Sequence, residues 1–255
     1  MNADLRELLE GARRAARAAS EAILEIYRSP FEVRAKADAS PVTEADERAE
    51  AIIVAALATL APEIPVVAEE MAARGEGMTA ERFWLVDPLD GTREFVARNG
   101  EFTTNIGLIE GDRPILGVVH LPVTNVTYAG AGPGTATRQD QDAAPVGIAA
   151  RRIPATGAVV AHSRSHGNDK KLAEYLATLR APQSRVAGSA AKFCFVAEGS
   201  ADLYPRFGPT MEWDTAAGHA VVEAAGGSVT CLDGSPFRYA KPGFRNPEFL
   251  AKGRD

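Results

Sequence analysis

The sequence has little of what would build a disulfide framework or a soft-metal centre: among 255 residues there are only two cysteines and four histidines. Cys194 and Cys231 are far apart and form no Cys-x-x-Cys pair, so they read as reduced, buried small side chains of a cytosolic protein. Basic residues are outnumbered, 28 Lys and Arg against 34 Asp and Glu, which leaves a net charge of −6. No broad cationic surface is therefore available to coat a nucleic-acid polymer. The longest apolar stretch, 51–61, falls short of the roughly 20 residues a membrane-spanning helix needs. The N-terminus carries Asp4, Arg6, Glu7, Glu10, Arg13 and Arg14 rather than the apolar core of a signal peptide. The expected location is the cytoplasm, with peripheral contact at the inner face of the membrane left open. Glycine (23) and proline (16) are too few for a collagen-like chain, and 45% hydrophobic with 24% charged residues describes a folded globular one.

The pattern along the chain alternates between helix and strand. Residues 3–28 predict an amphipathic helix closed by Ser29-Pro30. Thr43 with Asp46 three residues on reads as a capping box opening a second helix over 44–60, which Pro62 ends. Short apolar runs at 65–68 and 83–86 predict buried strands ending at Glu69-Glu70 and Asp87. Further strands are expected at 103–109, 115–121 and 125–129, with surface loops at 71–80 and 138–145 and a turn at 130–134. The second half predicts a strand at 158–161 and helices at 168–180, 189–198 and 213–225. The reading is a layered α/β fold, one catalytic unit over 1–255. It has an N-terminal α+β half (1–150) and a C-terminal α/β half (151–255) joined without a flexible linker.

The chemistry concentrates in acids. Asp87-Pro88-Leu89-Asp90-Gly91-Thr92 places two carboxylates three apart in a predicted turn after a hydrophobic strand. Glu69 ends another strand, and Asp214 opens a helix after Trp213. If the four converge, each like-charge pair at about 4 Å costs on the order of 4 kcal/mol at an effective dielectric near 20. Such a group must protonate or take up cations, and oxygen donors without His or Cys favour Mg²⁺. Taken singly, Asp-Pro-x-Asp-Gly is also a good turn and Asp214 a good helix cap. Asp46 is accounted for by helix capping on spacing alone.

These residues, with Trp213-Asp214-Thr215-Ala216-Ala217-Gly218 downstream, resemble the Mg²⁺-dependent, lithium-sensitive phosphatases typified by inositol monophosphatase. The resemblance runs from Lys36 to Gly227. Within that superfamily the 3'(2'),5'-bisphosphate nucleotidases of the CysQ type are the closer match. The segments that say so are Ala37–Asp46, Thr92–Phe95, Asn99–Thr103, Ser163–His166, Lys192–Cys194 and Leu203–Thr210. What the resemblance implies is a layered αβαβα sandwich of the inositol monophosphatase and fructose bisphosphatase type. It implies two or three Mg²⁺ held by Glu69, Asp87, Asp90, Asp214 and the Leu89 carbonyl. It further implies a water-activating pair, Thr92 with Asp46, and substrate contacts at Glu69, Leu89, Asp90, Gly91, Thr92 and Asp214, with Ser189 and Lys192 beside the nucleotide.

The implied activity is hydrolysis of the 3'-phosphate of adenosine 3',5'-bisphosphate to AMP, by a monomer or homodimer that lithium inhibits. An inositol phosphate or a sugar bisphosphate is the alternative substrate. A non-catalytic metal-binding relative is the alternative of another class. His162 and His166 flank Ser163 and are balanced between surface and substrate roles, while His120 and His219 read as structural and Trp84, Phe193 and Phe195 as core.

Overall fold

The computed structural model describes residues 3–35, 41–76, 80–163 and 169–254. In chain order the elements are α1 (Ala3–Tyr27), β1 (Val33–Ala35), β2 (Pro41–Thr43), α2 (Glu44–Leu60), β3 (Val66–Ala68), α3 (Glu69–Ala73), β4 (Arg82–Asp90) and α4 (Thr92–Val96). Then follow β5 (Thr103–Glu110), β6 (Arg113–Leu121), β7 (Val126–Gly130), β8 (Thr137–Asp140), β9 (Val146–Gly147), β10 (Val159–His162) and α5 (Asp169–Ala177). The chain closes with β11 (Gln183–Val186), α6 (Ala191–Ala197), β12 (Leu203–Arg206), α7 (Glu212–Ala224), β13 (Ser228–Cys231) and β14 (Phe249–Lys252).

Strands β3 to β9 form a seven-stranded sheet in sequence order, antiparallel except for the β3–β4 pair. A second sheet of five runs β11-β10-β12-β14-β13. Because side chains alternate across a strand, β4 feeds two cores. Trp84 and Val86 join Ile23, Ile53 and Leu57 under α1 and α2. Phe83 and Leu85 face the other way, toward Phe193, Ala216 and Ala217 of α6 and α7, and this core continues to the second sheet at Tyr204 and Phe249. Tyr175, Leu176 and Leu179 cover the far face of that sheet at Val160 and Leu203. The order of layers is thus helix, sheet, helix, sheet, helix, the αβαβα sandwich.

The approach of α7 to the large sheet is closer than ordinary side chains permit. A Cβ built on Gly117 would stand 2.2 Å from the Ala217 carbonyl oxygen, and one on Gly107 2.7 Å from Ala216 Cβ. Small residues on both sides let the helix lie directly on β5 and β6, and this fixes where its first turn, with Asp214, points. Gly117→Ala is expected to lower the melting temperature by about 5–10 °C in calorimetry, from an overpacking cost of about 2–3 kcal/mol.

Several expectations are corrected. Glu69 and Glu70, expected at a strand end, and 71–73, expected to start the surface loop over 71–80, are helical; 77–79 of that loop lie outside the described residues. The cap of this helix comes from far along the chain, which short-range reading misses: buried Glu50 of α2 accepts the Glu70 N–H at 2.7 Å. Residues 138–140 of the loop expected over 138–145 belong instead to β8, paired with β7, while 141–145 carry neither strand nor helix. The polarity of β8 fits a strand whose side chains are half-buried or exposed, held through Arg138, which pairs with Glu198 at 2.8 Å. The helix expected from 189 begins at Ala191, since Ser189 is left-handed with φ 49°. In the second half only 158–161 stands out as strand in the sequence, whereas the described residues form five.

Candidate active site

The Asp87–Asp90 segment is not the turn that its composition predicts but the end of β4, distorted by a bulge. Asp87 pairs with Asn105 and Asp90 with Thr103, so three steps on β4 match two on β5. Pro88, which has no N–H to give the ladder, sits inside the irregularity. The consequence is geometric. Residues three apart on a regular strand face opposite sides, and the extra residue restores the phase. Asp87 and Asp90 therefore both line one cavity of about 260 Å³, on the α7 side of the sheet. Thr104 Oγ1 steadies the bulge by donating to the Pro88 carbonyl at 2.9 Å.

Two further carboxylates are presented by the same local device. Asp46 and Asp214 are each the third residue of a helix, and each uses one oxygen to accept the N–H of the capping residue. The partners are Thr43 at 2.8 Å and Met211 at 2.9 Å. The second oxygen is turned toward the site. Asp46 Oδ1 accepts the Thr92 hydroxyl at 3.0 Å, and the same hydroxyl lies 3.3 Å from the Leu89 carbonyl. Thr92 opens α4 after Gly91, whose φ of 95° is unfavourable to any residue with a Cβ. This short helix is anchored by Phe95, packed on Tyr27, Phe31 and Phe102 with ring centroids 4.9–5.2 Å apart.

Electrostatically the cavity combines acids and cations in its lining. Glu69, Asp87, Asp90 and Asp214 all line it, as do Leu89, Gly91, Thr92, Ser189 and Lys192; Asp46 stands behind Thr92. Burial, then the charges of Asp90 and Glu69, push the Asp214 carboxyl well above the usual range. Burial also raises Asp90, against the opposing pull of Lys192 and a hydrogen bond from Asn105. Asp46 is raised to about 6, chiefly by burial. Lys192 is buried and lowered to about 8 for the same reason, its ammonium donating to the Ala187 carbonyl at 3.2 Å.

Among the described residues no three His, Cys, Asp or Glu side chains are already gathered tightly enough to grip an ion. Several instead rest on protein donors, as Asp87 does on the Leu89 N–H at 3.1 Å. The donor set still fits a hard cation. It is all oxygen, it faces one space, and its charges repel one another in a buried setting.

A family model described as the inositol monophosphatase family matches residues 4–252. The chain belongs to the inositol monophosphatase family. Within this family it is 49% identical to a Shigella flexneri protein named 3'(2'),5'-bisphosphate nucleotidase CysQ, over 92% of this chain and 95% of the relative. A solved structure of CysQ from Bacteroides thetaiotaomicron is 36% identical, covers 97% of both chains and superposes with a TM-score of 0.81. An inositol monophosphatase from Zymomonas mobilis is 27% identical with a TM-score of 0.80, over 100% of this chain and 95% of its own.

Reading this family member from its sequence misses Arg93, Glu94, Tyr204 and Arg206, which also line the cavity. Arg206 ends β12 and donates to Ser163 Oγ at 2.9 Å and the Pro209 carbonyl at 3.2 Å. Its signal was available: it sits in the Leu203–Thr210 segment, at the end of an unrecognised strand. His162 does not line the cavity; its Nδ1 is 3.1 Å from the Ser163 carbonyl. His166 and most of Ala37–Asp46's first half lie outside the described residues. His120 and His219 are buried, against Thr127 at 2.8 Å and Tyr239 at 3.0 Å.

Proposed function

We propose that the chain is a 3'(2'),5'-bisphosphate nucleotidase. It removes the 3'-phosphate of adenosine 3',5'-bisphosphate, giving AMP and inorganic phosphate, and so clears a by-product of sulfate activation and sulfotransfer. The observation that carries this is one cavity lined both by the carboxylates of Glu69, Asp87, Asp90, Glu94 and Asp214 and by the cations Arg93, Lys192 and Arg206. A substrate with two phosphates meets both the metal-holding acids and the cations there, and the CysQ relatives bear this activity in their names. Catalysis and binding are read as the work of one unit over 1–255.

Glu69, Asp87, Asp90, Asp214 and the Leu89 carbonyl would hold two or three Mg²⁺. When bound, the ions polarise the phosphoryl group, offset charge on both sides and make water more acidic. The chain's own residues do the rest. Thr92 Oγ, already donating to Asp46, is placed to take a proton from an attacking water while its own proton moves to Asp46 Oδ1. The water oxygen bonds to phosphorus as the bond to the ribose 3'-oxygen breaks, and that oxygen takes a proton from solvent. Lys192 and Arg206 hold anionic oxygens of the nucleotide and so orient it. The Ser189 hydroxyl, shielded from solvent and without a hydrogen-bond partner among the described residues, is a further donor for the nucleotide.

No helix among the described residues is long and apolar enough to cross a membrane. Two free cysteines are in keeping with a cytoplasmic setting, in a monomer or homodimer. The test is phosphate release from adenosine 3',5'-bisphosphate, compared with inositol monophosphate and a sugar bisphosphate. The expected result is a kcat/KM at least tenfold higher on the nucleotide, abolished by EDTA, restored by Mg²⁺ and depressed by lithium. Undiminished release in EDTA, or preference for another substrate, overturns the reading. Magnesium uptake without turnover identifies a non-catalytic relative.

A further inference from the structure

The Asn99–Thr103 segment, singled out in the sequence, has no part in the chemistry above. Its Glu101 reaches a turn 87 residues away, where its Oε2 accepts the Gly188 N–H at 3.0 Å. The two backbones are pressed together at this point. A Cβ on Gly188 would stand 2.4 Å from the Glu101 carbonyl oxygen and 3.0 Å from Glu94 Cγ, and one on Gly91 3.2 Å from the same Glu101 oxygen. The turn so held carries Ser189, in a left-handed conformation, and its Ala187 carbonyl accepts from Lys192. Gly188, Ser189 and Lys192 all line the cavity.

We infer that Glu101 is a positioning residue for the nucleotide: its carboxylate latches the 187–190 turn to the loop between α4 and β5 and so sets the placement of Ser189 and Lys192. The inference rests on the nucleotidase reading and adds to it a determinant of substrate affinity. A left-handed serine is held only where its surroundings over-determine the backbone, and the Gly188 N–H immediately before it is the group that Glu101 fixes. The Thr92–Asp46 pair lies on α4 and α2, outside the turn, while Asp90 on β4 accepts a hydrogen bond from the Ala190 backbone within it. Losing the Glu101 bond therefore acts first on Ser189 and Lys192, which face the nucleotide, and leaves the water-activating pair in place.

Two variants separate reach from charge. Glu101→Gln keeps the length and an acceptor oxygen but loses the charge; Glu101→Asp keeps the charge but is one methylene too short. With wild-type turnover of adenosine 3',5'-bisphosphate in Mg²⁺ established first, Glu101→Asp is expected to raise KM about tenfold. Its kcat should move less than twofold, and so should its rate on p-nitrophenyl phosphate, which has no nucleoside. Glu101→Gln stays within about threefold of wild type in KM. Equal impairment on both substrates, a normal KM in Glu101→Asp, or a Gln variant worse than the Asp variant each overturns the latch. Wild-type failure to hydrolyse the nucleotide is a failure of the functional reading instead.

Discussion

Asp214→Asn is expected to abolish phosphate release, with kcat/KM down at least about 10³-fold, and at the same time to make the metal-free protein more stable. The two effects have one cause. The Asp214 carboxyl is held well above its ordinary pKa by burial and by the charges of Asp90 and Glu69. A carboxyl whose folded-state pKa is raised stabilises the fold only while protonated. That contribution is lost as pH rises from the unfolded value of about 4, so at neutral pH the charge opposes folding. Asparagine keeps an oxygen to accept the Met211 N–H, which Asp214 accepts at 2.9 Å, and removes the repulsion.

A gain of about 1–3 kcal/mol corresponds to a rise of about 3–9 °C in melting temperature in EDTA for a chain of this size. Magnesium is expected to raise the melting temperature of the wild type, by linkage to the folded state, and to do so much less for the variant. A variant no more stable than wild type in EDTA, or one that keeps its activity, contradicts the picture of a repulsive acidic group.

Thr92→Val is expected to lower kcat by about 10²–10⁴-fold, the usual worth of a positioned proton acceptor. Valine matches threonine in shape but severs the hydroxyl's link to Asp46 at 3.0 Å and its contact with the Leu89 carbonyl. Thr92 is also at the start of α4, which Phe95 anchors in an aromatic cluster that the substitution does not touch. The helix should therefore stay in place. The prediction is a specific loss of turnover, with KM for the nucleotide and the magnesium concentration for half-maximal rate each changing less than threefold. Thr92→Ser should recover most of the rate. If Thr92→Val loses magnesium affinity in parallel with kcat, the hydroxyl acts on the metal-holding acids rather than on the water.

The loop after Gly91 shows where sequence and structure part company. Gly91 and Thr92 stand out in the sequence because a glycine beside paired acids signals a sharp turn. Nothing there reveals that Glu101 would meet Gly188, since that contact requires the two sheets and their helices to be stacked first. Glu50 is similar: in the sequence it is a polar position on a helix, and in the structure it is a buried cap for the helix that presents Glu69. Arg206 was within a noted segment, but its direction depends on the second sheet.

What the sequence by itself determined was local in origin. The Thr43–Asp46 box, the continuous apolar run of β4 and the small residues after Asp214 follow from hydrogen bonding and hydrophobic patterning within a few residues. They mark the helices, the strands and the acids from which the site is made. Tertiary structure alone decided that Asp87 and Asp90 face the same way, because the bulge between them exists only against β5. It also decided that Asp214 meets them, because α7 reaches the sheet only where Gly107 and Gly117 leave room for its backbone.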